Sequence, residues 1–538
     1  MSTPPVLEWI TQQPSFNTVA DDQDSSIISD SAGNSYIVYR TKGATSGNTK
    51  TSTTGFDIVI LKLNTAGVVQ WVKQYADLSN TDGSPIGSFP SITINPAGSH
   101  IYIAYGITGI VSGGTSAGGA DTVVVKLATT DGSIDWIKQI VATNTDIDDI
   151  SPSITCYTDG GADFIYVGYY NTEYSSAKIT VYKLGSVGNF VWKSETPTVT
   201  SGSNDCRIIA DLAGNVYGSY DTDATVPGPD NNGPGIVVFK MDPSGTIPWI
   251  IQNSFINPAG SGYVKSNIIF NPSNNRLYIS YVYQQYAIII YVASVDASTG
   301  VVIQEATQIP SEFTPATFQT GLGVDVSGNI YISYFSTNDS STKLTIVKRA
   351  SDILTELWNI SPSDISPVVP GNATGFSSLS VNSSGSIYVT YATNGVVPGG
   401  TDTGGIDIVV AKLGEPEPEP VLNSFAAKVN PYLALGPVLV YTKATVDALV
   451  AGTTLPTQTT VSWAPMGVLL AGSLLRDLRR SVTVPVSASN PLAAYRFQRV
   501  QLIGGSGSEG VGGSLADQDA YQTGWICTWA ASGVAPVF

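Results

Sequence analysis

Gly33-Asn34-Ser35-Tyr36-Ile37-Val38-Tyr39 decides the fold, because the chain spells the same stretch again in register. Its Tyr-x-x-Tyr core returns at Tyr102–Tyr105, Tyr166–Tyr169, Tyr217–Tyr220, Tyr278–Tyr281, Tyr331–Tyr334 and Tyr388–Tyr391. Each copy follows an apolar strand and a tight turn, as at Asp30 to Gly33, Asn95 to Gly98, Asp211 to Gly214, Asp325 to Gly328 and Asn382 to Gly385. An Asp or Asn at the first turn position accepts a backbone N–H two residues on, and Gly takes the left-handed conformation. A variable loop then leads to a third strand, clearest at Asp57–Leu63, Asp121–Leu127 and Asp407–Leu413. These runs are rich in β-branched residues, which suit a pleated, half-buried surface. A second Gly turn precedes a fourth strand holding Trp71, Trp136, Trp192, Trp249 or Trp358.

Four strands in a period of roughly 50–65 residues read as one blade of a β-propeller. The seventh copy ends at Leu413 without a fourth strand, whereas Val6-Leu7-Glu8-Trp9-Ile10-Thr11-Gln12 matches Ile134-Asp135-Trp136-Ile137-Lys138-Gln139. The expected fold is therefore all-β. A seven-bladed propeller spans 1–413, with the N-terminal strand at 5–12 completing blade seven. Closure of that kind hides sheet edges that would otherwise pair with other chains. The repeat resembles the SBBP family of propeller repeats, marked by Gly-Asn-x-Tyr-Ile-x-Tyr and Asp-Ile-x-x-x-Lys-Leu. The matching stretches include Gly328-Asn329-Ile330-Tyr331-Ile332-Ser333-Tyr334. The resemblance implies the fold and a surface or secreted setting, and it transfers no catalytic residue.

Glu415-Pro416-Glu417-Pro418-Glu419-Pro420 breaks the pattern. Alternating Pro favours an extended chain, so 414–420 reads as a semi-rigid spacer. Residues 421–538 match no repeat. They are expected to form a small β-rich, sandwich-like domain that assembles or anchors. Strands are expected at Pro437–Lys443, Thr459–Trp463, Ser481–Ser487, Ala494–Leu502 and Gly524–Ala530, with a short helix over Val468–Arg479.

The net charge of −17 lies almost wholly on the propeller, since 421–538 carries seven basic and five acidic residues. An acidic body argues against nucleic acid, whose phosphates it would repel. Arg476, Arg479, Arg480, Arg496 and Arg499 in the C-terminal part are read as interface candidates. Cys156, Cys206 and Cys527 have neither disulfide nor zinc spacing. No run is long enough to span a membrane. Met1 to Pro5 lacks the basic start and apolar core of a signal peptide.

His100 is the single His, and no motif supports a nucleophile beside it. Asp146, Asp148 and Asp149, and Asp221, Asp223 and Asp230, are the candidates for calcium, with no other cofactor implied. The expectation is a non-enzymatic structural or display protein of a virion, appendage or extracellular particle, with a cell-surface or virion-exterior location. It would self-associate through 421–538 and meet a protein or glycan partner on the propeller loops. The alternatives are a glycan-binding attachment protein and a carboxylate-dependent enzyme acting on polysaccharide, the latter needing two facing carboxylates in the central channel.

Overall fold

The structure is a computed structural model. It describes residues 4–414 apart from 54, 80–84, 172–177, 198–204, 223–224, 227–234, 253–262, 285–287, 309–313, 316–319, 339–340, 362–364 and 366–372. Beyond them it describes 438–441, 465–469, 474–484, 495–504 and 523–530. The chain forms two compact units, Met1–Glu415 and Pro416–Phe538.

Seven antiparallel sheets make up the first unit. Blade one shows the plan: strands Asp22–Ser29, Ser35–Thr41, Asp57–Leu63 and Val69–Lys73 run in order from the axis outward. Blade seven holds Ala373–Val381, Ile387–Thr393 and Asp407–Gly414, and its outer strand is Val6–Thr11, paired with Asp407–Gly414. The ring is thus closed by its own N-terminus, as the repeat predicts. The alternation of strand direction sends every tight Asp/Asn-x-x-Gly turn to one end of the ring. The long second-to-third loops and the links between blades lie at the other end.

The repeated residues are structural, and the reason is visible in each blade. The first Tyr of Tyr-x-x-Tyr is buried (Tyr36, Tyr102, Tyr217 and Tyr331 are at most 1% exposed). Its hydroxyl donates to the blade's own turn carboxylate in blades one, four and six (Tyr36 to Asp30 at 3.1 Å, Tyr217 to Asp211 and Tyr331 to Asp325 at 3.0 Å), and to a carbonyl of Gly214, Ser351 or Gly33 in blades three, five and seven. The third-strand Lys lies over the same ring, as Lys62 does over Tyr36 and Lys348 over Tyr331. In several blades the second Tyr donates to a carbonyl in the link between blades, as Tyr105 does to Leu78 at 2.7 Å and Tyr169 to Thr143 at 2.6 Å.

At three seams between blades the Trp acts as a latch. Trp9, Trp136 and Trp192 donate from Nε1 to carbonyls of Thr65, Ser186 and Pro243 in the third-to-fourth turn of the following blade. The turn glycine there has no room for a side chain. At Gly67 (φ 76°) a Cβ would stand 2.6 Å from the Trp9 ring. We expect Gly67→Ala to lower the unfolding free energy by about 1–2 kcal/mol, from left-handed strain alone. Urea titration measures it, and an unchanged midpoint would show that the turn is slack.

The second unit is β-rich. Its described strands form one five-stranded antiparallel sheet: Pro465–Leu469, Val438–Tyr441, Thr523–Ala530, Tyr495–Gly504 and Leu474–Val484, in spatial order. The helix expected over Val468–Arg479 is corrected, since strand Pro465–Leu469 ends inside that range and strand Leu474–Val484 begins there. The leucines at 469, 470, 474 and 475 mimic a helical stripe, but ladder pairing with Tyr495–Gly504 outweighs that local pattern. Residues 415–420 and 459–463 lie outside the described residues. Among the described residues no helix is long and apolar enough to cross a membrane.

Candidate functional site

The innermost strands surround a cavity of about 390 Å³ on the ring axis. Aligning them by their buried aliphatic residue gives Ser26-Ile27, Ser91-Ile92, Ser153-Ile154, Arg207-Ile208, Asn267-Ile268, Gly321-Leu322 and Ser378-Leu379. An innermost strand has one unpaired edge, and its N–H groups need partners. The serine supplies them from the preceding blade. Ser378 Oγ accepts Ile27 N–H (3.2 Å), Ser91 Oγ accepts Ile154 N–H (3.2 Å) and Ser153 Oγ accepts Ile208 N–H (3.1 Å). One step further along, Ser380 and Thr155 do the same for Ser29 and Ala210.

The pattern breaks in blades four to six, where the serine position holds Arg207, Asn267 and Gly321. Gly321 is enforced by packing, because a Cβ would stand 3.0 Å from that of Leu379. The Asn267 amide makes one bond at each end: Nδ2 donates to Thr320 O (3.1 Å) and Oδ1 accepts Ile268 N–H (2.9 Å). Arg207 is the only charged side chain among the described residues lining the cavity. Its Nη2 is 3.4 Å from Asp205 Oδ2, and Lys265 Nζ is 3.6 Å from the same oxygen. Asp205 is buried, with its side chain 1% exposed, while those of Arg207 and Lys265 are 13% and 22% exposed. Asp205 Oδ1 has no hydrogen-bond partner among the described residues. Lys265 has φ 40°, and Asp24 and Ser151, at the start of the inner strands of blades one and three, also have positive φ. These positions face the long-loop end.

The acidic candidates for calcium resolve differently. Asp148 Oδ1 accepts Ala120 N–H (2.8 Å), and Asp149 accepts both the N–H and hydroxyl of Thr145. Those carboxylates are occupied with loop closure. Asp146 lies in the same loop, Asp221 lies on the second strand of blade four, and Asp223 and Asp230 lie outside the described residues. Among the described residues no three metal-ligating side chains gather. Arg476, Arg479 and Arg480 lie on strand Leu474–Val484, and Arg496 and Arg499 on strand Tyr495–Gly504, so the topology puts all five on adjacent strands. His100 Nδ1 meets Ser99 Oγ (2.9 Å) and Nε2 meets Asp135 Oδ2 (3.2 Å). Asp135 also pairs with Lys126, as Glu8 pairs with Lys412 in blade seven. This trio therefore belongs to a recurrent ion pair beside a hairpin and lies outside the axial cavity.

The two facing carboxylates required of a channel glycosidase are not among the described lining residues. Arg207 is the lining residue that the motif search did not single out as a site. The signal for it was present: it stands where four other blades carry Ser.

No family model matches the chain, and no curated protein matches it. Solved structures do. The polysaccharide lyase Uly1 shares 11% identity over 75% of this chain and 92% of its own, with a TM-score of 0.43. A PL25 ulvan lyase bound to -[GlcA(1-4)Rha3S]- shares 11% over 72% and 96%, with a TM-score of 0.43. A Trypanosoma rangeli sialidase shares 10% over 92% and 69%, with a TM-score of 0.38. At that level the likeness is one of fold. The expectation of a non-enzymatic structural or display protein is corrected to that extent: chains of similar architecture include polysaccharide lyases and a sialidase, so the fold is no ground for a non-enzymatic role. That expectation rested on missing motifs. A single His excludes Ser-His-Asp chemistry on the propeller axis and little else.

Proposed function

We propose that this chain acts on carbohydrate, and that a saccharide enters the axial cavity from the long-loop end. The observation that carries this reading is the character of the cavity wall. Polar Ser26, Ser91, Ser153 and Asn267 line it beside aliphatic Ile28, Ile154, Ile269 and Leu322, while the hydroxyls of Ser25, Thr320 and Ser377 are turned to Thr390, Ser280 and Ser333. A sugar ring has the same mixture of hydroxyl edge and apolar face, and sites of a few hundred Å³ with a few placed polar groups suit such ligands. The rigid ring with variable loops at one end supplies the scaffold.

Incubation with a panel of soluble polysaccharides tests it, with affinity electrophoresis reading retention and reducing-end release reading cleavage. Retention or cleavage of at least one polymer is expected. Ser26→Trp, which fills the cavity, should weaken it about tenfold or more. A panel with neither retention nor new reducing ends would remove the reading.

A further inference from the structure

We infer that the saccharide is acidic, and that its carboxylate or sulfate ester docks between Arg207 and Lys265. The inference rests on the carbohydrate reading above and names the substrate class for that site. Three observations carry it. The first is charge: among the described residues Arg207 and Lys265 both lie against the Asp205 carboxylate, in a chain whose net charge is −17. A half-dry cationic spot inside an acidic body concentrates field on its own mouth and draws one anionic group, while the surrounding charge discourages non-specific polyanion binding. The second is place. Arg207 projects from the one inner-strand register where other blades keep a small capping serine, so it reaches the cavity that Ser91 and Ser153 also line. Its planar fork suits a carboxylate or sulfate. The third is the buried Asp205. Its Oδ2 holds both cations, while its Oδ1 is a desolvated acceptor without a donor among the described residues. A hydroxyl on the same sugar supplies that donor once the anion is seated. Asp205 is thus a positioning residue, and Arg207 and Lys265 make the contact.

The repeat itself provides variants that keep the fold. Arg207→Ser restores the residue of blades one, two, three and seven, and Lys265→Ser restores Ser151 of blade three, which has the same left-handed backbone. Binding of the full chain to polygalacturonate, dextran sulfate and neutral dextran is measured at two salt concentrations. The wild type is expected to bind at least one acidic polymer and to prefer it over dextran. Either variant should weaken that binding on the order of tenfold to hundredfold, the worth of a charge-assisted hydrogen bond. Binding to polygalacturonate alone assigns the anion as a carboxylate, to dextran sulfate alone as a sulfate ester, and to both as either. Equal binding of dextran, or acidic binding that survives both substitutions, overturns the inference and leaves the carbohydrate reading standing. Binding to no polymer removes both.

Discussion

Gln12→Ala is expected to lower the unfolding free energy by about 3–4 kcal/mol, because three buried groups lose their partner at once. The Gln12 side chain is 2% exposed and sits at the end of the strand that closes the ring. Its Nε2 donates to Asp407 Oδ2 (2.9 Å) and to Gly395 O (3.0 Å), and its Oε1 accepts Val397 N–H (3.0 Å). The same clamp recurs as Gln74 with Asp57 and Gln139 with Asp121. In each case the amide ties the Asp at the start of the third strand to the loop before it. Truncation leaves Asp407 buried and held by Thr403 alone among side chains on its own loop. Chemical denaturation of Gln12→Ala beside Gln139→Ala separates clamp from closure. Both should fall by a similar amount, with Gln12→Ala also opening the ring to proteolysis near residue 20. A loss below about 1 kcal/mol in both would show that the clamp is incidental to stability.

The second large effect is on pH. Asp22 and Asp149 are fully buried, and burial pushes each carboxyl up to about 7 from its ordinary value, against the hydrogen bonds they accept from Thr18 and Thr145. Asp407 lies near Asp22 and Asp121 near Asp149, adding like charge at two seams between blades. The folded state therefore holds these protons more tightly than the unfolded chain. Stability is fully present below about pH 4 for these two groups and is lost as pH rises through about 7. The loss across that window is on the order of a few kcal/mol for the pair. Exposed turn carboxylates run the other way: Asp296 and Asp352 are held below the usual range by backbone N–H bonds, from Thr299 and from Thr355 respectively, and their contribution is lost in acid. Thermal unfolding from pH 4.5 to 8.5 should show Tm falling with pH in the wild type and nearly flat in Asp22→Asn/Asp149→Asn. A wild-type profile that rises with pH would contradict the assignment.

These two groups of residues also show how far the sequence could be read. The Gln and Asp of the clamp are repeated in blades one, two and seven, so the repeat announces that they do something common to those three. What they do is a contact between the end of one strand and the start of another, visible only once both are folded. The roles of Asp148 and Asp149 in loop closure were hidden for the same reason. Acidic spacing along a loop does not reveal that Asp148 accepts Ala120 N–H and that Asp149 accepts the N–H and hydroxyl of Thr145. The helix expected near Leu469 to Leu475 failed because strand partners many residues away outweigh a short apolar stripe.

The sequence by itself determined the seven blades, their strand order and the closure by residues 6–11, because repetition in register encodes a geometry that each copy confirms. It also held the mark of the candidate site, as an arginine in a register that is otherwise mainly serine. Only the tertiary structure decided that this register faces the axial cavity, that Asp205 lies buried between Arg207 and Lys265, and that the serines cap the neighbouring blade's free N–H groups. Most of those relations join residues more than fifty positions apart across a seam between sheets, and side-chain alternation along a single strand cannot say which neighbour a residue will meet.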